Sequence, residues 1–189
     1  MSKREDTIQQ YVSDMLAVER HIHEAVRRQK DDNRLQSFPE ASAVINHAEE
    51  MLDLHIAALE SHLESVGGDP AAPAKEAITA ALGVAAGLLD KVRTQKVSKM
   101  LRDDYTALSL AAISYHMLHT TGVALGAPGT ADLALRHLKD WTPIITRISH
   151  VVHGVVAKEL ADDGLPVAAG AAVESERAAQ EAWDPAHVS

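Results

Sequence analysis

Apolar residues recur along most of this 189-residue chain at alternating steps of three and four. That is the period of helices which bury one face. From 5 to 31 the seam is Ile8, Val12, Met15, Glu19, Ile22 and Val26. A carboxylate inside an apolar stripe is costly unless it is paired, protonated or bound to a metal. Glu19 is therefore the first position that asks for chemistry.

Ser37-Phe38-Pro39-Glu40 reads as a Ser-x-x-Glu capping box with Pro just inside, opening a second helix. Its stripe is Ile45, Ala48, Leu52, His55, Leu59, His62 and Val66, and Gly67-Gly68 stops it. Glu50 falls on the opposite, solvated side. After the connector DPAAP, residues 75 to 93 predict a short Ala- and Gly-rich crossover helix. A long helix over 95 to 126 follows, with Leu101, Leu108, Ala112, Tyr115, His119 and Gly122 on one face. The last predicted bundle helix, about 131 to 160, faces inward through Ala134, His137, Trp141, Ile144, Ile148, Val151, Val152 and Val155. Pro143 within it predicts a kink or a later start. The expected organisation is an all-α four-helix bundle over 1 to 162 with a weakly ordered tail over 163 to 189.

Composition narrows the function classes. Aromatics are only 3% and alanine is abundant, which suits close-packed helices better than a β-sandwich. A net charge of −9 argues against non-specific nucleic-acid binding. With no cysteine there is no disulfide, thiolate nucleophile or iron–sulfur cluster. No apolar run is long enough for a membrane span, and the polar start MSKREDTIQQ lacks a signal-peptide core. The expectation is a soluble cytoplasmic protein. No phosphate loop, dinucleotide fingerprint or nucleophile elbow occurs.

Four long helices with a crossover between the second and third suggest a ferritin-like bundle. Tyr115-x-x-Leu118, Ala124-Leu125-Gly126, Leu133, Leu138 and Asp140, with His47-Ala-Glu49-Glu50 and the Gly67-Gly68 stop, extend that likeness. Over roughly residues 8 to 160 the chain resembles the bacterial YciE/YciF family of ferritin-like stress proteins. The resemblance implies a di-metal carboxylate bundle with Glu ligands from all four helices, a stress-related role and, by analogy, a homodimer. Glu19 stands at the first-helix ligand position, and His55 at the histidine of a Glu-x-x-His pair. Leu52, Ala111 and Trp141 occupy positions where that family expects carboxylates, with Asp140 beside the last. The standard di-iron set, about four carboxylates and two histidines, is thus incomplete here.

A ferritin topology, with the second and third helices parallel, would bring His119 and His137 to one level, with His62 drifting towards them. Three imidazoles with room for a water suit Zn²⁺, Fe²⁺ or Cu²⁺. The metal candidates are therefore Glu19 and His55 from the older position, and His62, His119 and His137 as a replacement, with Fe or Zn as the ion. Other readings stay open. Each histidine could be a hydrogen-bonded core side chain, Glu19 a structural pair with His55 or an Arg, and Trp141 plain filling of a vacated site. His21, His23, His150 and His153 read as exposed. At the level of function, the alternatives are a non-catalytic scaffold acting by oligomerisation, or a bundle that binds haem or a small molecule.

Overall fold

The structure, a computed structural model, describes residues 2–72 and 96–184. All regular structure among them is helical, with no strand. Four long helices form the bundle: α1 (Lys3–Lys30), α2 (Pro39–Ser65), α3 (Val97–Ala124) and α4 (Pro128–Asp162). A 3₁₀ turn, Asn33–Ser37, joins α1 to α2, and a fifth helix, α5 (Ala171–Trp183), follows α4. The predicted crossover helix over 75 to 93 lies outside the described residues.

The predicted seams are the buried faces except at His62, Val66, Ala112, His119 and Val152, which are half-buried. Every member of the α1 seam is buried, Glu19 included, and the seam continues to Gln29. α1 packs on α2 and α3, and α4 packs on α3 and α2, so α1 lies diagonal to α4 and α2 to α3. Helix directions follow from contacts at the two ends. At one end the Arg4 guanidinium donates to the carbonyls of Leu125 (2.6 Å) and Gly126 (2.8 Å), and His62 Nε2 lies 2.8 Å from Thr130 Oγ1. The start of α1, the ends of α2 and α3 and the start of α4 meet there. At the other end Gln29 donates to Asp104 (2.9 Å), and Glu159 of α4 accepts from the Ser98 backbone N–H (3.0 Å) and hydroxyl (2.5 Å). Glu159 thereby satisfies a donor that the first turn of α3 leaves unpaired. α2 and α3 therefore run in the same direction, and α2 ends at the opposite end of the bundle from where α3 begins.

Helix ends explain the lengths. Gly67 (φ 83°) and Gly126 (φ 62°) adopt the left-handed conformation that closes α2 and α3, with Gly68 N–H on the Leu63 carbonyl and Ala127 N–H on the Gly122 carbonyl (2.8 Å each). The α3–α4 corner is tight. A Cβ on Gly122 would stand 2.6 Å from the Ala131 amide nitrogen.

Two local expectations are corrected. The Ser37–Glu40 capping box does not form: Ser37 closes the 3₁₀ turn, Phe38 is the cap residue without a side-chain bond, and Pro39 is the first helical residue. The same Ser-x-x-Glu pattern does form a box at Ser2 and Glu5, opening α1. Pro143 does not delay α4, which starts at Pro128 and runs through it. Pro143 is exposed, so the Lys139 carbonyl that it leaves without an N–H faces the solvent side. Within the tail, α5 lies on α4, with His150 Nδ1 2.9 Å from Glu176 Oε1 and His153 Nδ1 3.0 Å from Ser175 Oγ. None of its residues is buried. No helix among the described residues is long and apolar enough to cross a membrane.

Candidate metal centre

All four bundle helices contribute to one polar cluster in the core. α1 supplies Glu19, α2 His55, α3 Tyr115, and α4 both His137 and Trp141, one helical turn apart. All five are buried. Each comes inward because it occupies an apolar-periodic position of its own helix. The surrounding Leu and Ile seams therefore fix their backbones, and the polar ends have only one another to meet.

Glu19 is the hub. Its Oε1 accepts hydrogen bonds from the Tyr115 hydroxyl (2.7 Å) and from Trp141 Nε1 (2.9 Å). His55 Nδ1 lies 3.4 Å from the same oxygen, and His55 Nε2 lies 3.2 Å from Asp140 Oδ2 at the rim. The Tyr115 oxygen is also 2.8 Å from His137 Nδ1. Since the phenol proton goes to Glu19, that oxygen accepts from His137, which places the His137 proton on Nδ1. The imidazoles of His55 and His137 stack face to face, centroids 3.8 Å apart and planes 2° from parallel. Glu19 Oε2 is buried and has no hydrogen-bond partner.

The electrostatics are those of a dry site. Burial, then the neighbouring His55 and Arg136, pushes the His137 pKa down to about 3, so this imidazole is neutral at physiological pH. Burial, reinforced by Glu19, raises the Tyr115 phenol well above its ordinary value and keeps it a proton donor. One neutral imidazole in the stack avoids placing two cations face to face.

The donor set fits one ion and not two. Glu19, His55 and His137 each offer a ligand atom, all within 4.8 Å of one another, and form the one such group among the described residues. Two histidines and one carboxylate are a mononuclear set used for Fe²⁺ and Zn²⁺. Two atoms bound at about 2.1 Å to a tetrahedral ion lie about 3.4 Å apart. The His55 Nδ1–Glu19 Oε1 separation has that value and is long for a hydrogen bond. The parallel rings do not yet aim both lone pairs at a common point, so loading requires one of them to tilt. A second ion lacks ligands: no other group of this kind occurs among the described residues, and the buried Leu52, Ala111 and Trp141 beside the cluster offer no carboxylate or imidazole. A porphyrin does not fit between His55 and His137, whose rings already touch.

The sequence-predicted residues divide accordingly. Glu19, His55 and His137 are together. His62 is half-buried near the start of α4 and bonds to Thr130, its pKa lowered first by burial. His119 is half-buried on α3 and outside the group. The predicted meeting of His62, His119 and His137 does not occur, because α4 sets His137 against Tyr115, one turn from His119 along α3. His21, His23, His150 and His153 are all half-buried rather than exposed, with His23 Nε2 3.0 Å from Asp53. The donor role of Trp141 escaped the sequence reading, since its partner sits across the bundle. No protein-family model, no curated protein and no solved structure matches this chain.

Proposed function

We propose that this is a ferritin-like, metal-associated bundle protein that holds a single Fe²⁺ or Zn²⁺ at Glu19, His55 and His137. The observation that carries the reading is Glu19 Oε2, a buried oxygen without a partner on a carboxylate that clusters with two imidazoles. A buried acceptor left unpaired costs about 1–3 kcal/mol, and a cation removes that cost. The parallel course of α2 and α3 supports the ferritin-like part. A stress-related role rests on the YciE/YciF resemblance, and a homodimer on analogy with bundles of this type. When bound, the ion would supply Lewis-acid or one-electron chemistry, while Tyr115 and Trp141 hold the Glu19 carboxylate.

The test is elemental analysis of untagged protein beside Glu19→Gln and His137→Ala variants, before and after reconstitution with iron and zinc. About one ion per chain, lost in both variants, is the expected result. No uptake by the parent protein overturns it. That outcome would favour the second reading, a non-catalytic scaffold in which the cluster is structural. The observation favouring the scaffold is that Glu19 Oε1 already receives two short hydrogen bonds from the chain itself.

A further inference from the structure

We infer that Asp140 is a positioning residue for this centre: it holds the His55 ring so that Nδ1, and not a carbon edge, faces Glu19. The inference rests on the metal-binding reading above.

The His55 ring is held in its plane by packing. His137 stacks on one face, and Trp141 (5.0 Å) and Tyr115 (6.2 Å) make edge contacts. Packing of this kind selects a plane, but it distinguishes poorly between a ring nitrogen and a ring carbon, which have nearly the same size. Only polar neighbours make that distinction, and His55 has two, Glu19 at Nδ1 and Asp140 at Nε2. The Glu19 oxygen, at 3.4 Å from Nδ1, is the more distant of the two. Asp140 at 3.2 Å is the closer, and it accepts the Nε2 proton. An imidazole protonated at Nε2 presents its lone pair at Nδ1, towards Glu19.

The place of Asp140 on α4 suits this role. It is the residue before Trp141, so its backbone lies about 100° round the helix from the inward line. Its side chain reaches the rim of the site from outside and stays 47% exposed, while His55 is 3% exposed and Glu19 fully buried. A carboxylate that is half in water and already bonded to the far nitrogen of a ligand is placed as an outer partner. Carboxylate–histidine–metal chains of this form raise metal affinity about 10–100-fold. The contact contributes little to folding, because one member is half-solvated.

The experiment is a Zn²⁺ affinity measurement by competition with a chromophoric chelator, joined to the visible spectrum of the Co²⁺ form. It compares the parent protein with Asp140→Ala, Asp140→Asn and His55→Ala. Asp140→Ala should weaken Zn²⁺ binding 10–100-fold and alter the Co²⁺ bands, while the metal-free melting temperature stays within a degree or two of the parent (roughly, from). Asp140→Asn, whose amide oxygen still accepts from Nε2, should recover most of the affinity. If Asp140→Ala binds like the parent while His55→Ala does not, the positioning role is wrong and the metal site stands. If Asp140→Asn is as weak as Asp140→Ala, the residue acts through its charge, which also overturns the inference. Absence of Zn²⁺ uptake by the parent overturns both the inference and the reading beneath it.

Discussion

Two carboxylates among the described residues are buried without enough partners, and the chain treats them differently. Glu19, in the middle of α1, meets side chains from the other three bundle helices, two of which donate to a single oxygen. Asp104, towards the start of α3, has one hydrogen-bond donor, the Gln29 amide at 2.9 Å. Both sites keep orphaned oxygens: Glu19 Oε2 in the first, Asp104 Oδ2 and Gln29 Oε1 in the second. What differs is the chemistry within reach. Beside Glu19 stand imidazoles, which bind cations, whereas the Asp104 site has an amide acceptor and a second acid, Asp103. The cation that suits Asp104 is a proton. Burial pushes its pKa up to about 7, with Asp103 adding to the rise and the Gln29 hydrogen bond opposing it. An unpaired carboxylate in a core thus has two physical outcomes, and the neighbours decide between them.

The largest expected effect comes from emptying the central site. Trp141→Ala removes a fully buried ring and a donor to Glu19 together. It should cost about 5 kcal/mol, the upper end for such truncations, in urea unfolding. Trp141→Phe keeps most of the volume and should cost about 2 kcal/mol, the value of the lost donor to a buried charge. Equal losses in the two variants would mean that packing plays little part at this position.

The Asp104 site gives the next effect, and its sign is opposite to that of a paired carboxylate. Folding raises this pKa above the unfolded value, so between about pH 4 and pH 7 the folded protein holds a proton that the unfolded chain releases. The contribution of Asp104 is fully favourable below that window and is lost as pH rises through it, by at most on the order of 4 kcal/mol. Asp104→Asn should remove this slope and stabilise the protein at pH 8, because the new amide can donate to Gln29 Oε1 while accepting from Gln29 Nε2. Parallel stability curves for parent and variant from pH 4 to pH 8 would show that Asp104 does not titrate in that range.

Much of this comparison was legible in the sequence, and the limits are instructive. Glu19 and His55 announce themselves as polar residues inside apolar seams. Asp104 does so too, three residues after Leu101 and four before Leu108, and Gln29 continues the Ile22–Val26 step. The periodic rule that found Glu19 could have found them. Levels were harder. His137 was correctly assigned to the inward face, but its height depends on how far α4 slides along α3, and the approach at Gly122 and Ala131 fixes that. The parallel topology alone sets it level with His119, whereas the packed helices place it against Tyr115. Local motifs misled where tertiary structure intervened. Ser-x-x-Glu occurs at Ser2, Ser37 and Ser61; the last lies inside α2, and of the other two only the one at Ser2 caps a helix, because the 3₁₀ turn has already taken up Ser37.

The smallest effect tests whether the crowd around Glu19 is redundant. Tyr115→Phe keeps the buried ring and removes one hydroxyl, which donates to Glu19 and accepts from His137 Nδ1. Glu19 Oε1 would keep Trp141 Nε1, so it is not stripped of donors. The His137 Nδ1–H is left with a nearby void, and the ring can turn towards it. The expected cost is about 1 kcal/mol, less than that of Trp141→Phe, because neighbours take over part of the lost role. A cost of about 3 kcal/mol or more would mean that each donor is indispensable. Glu19 would then resemble Asp104, a carboxylate with no donor to spare.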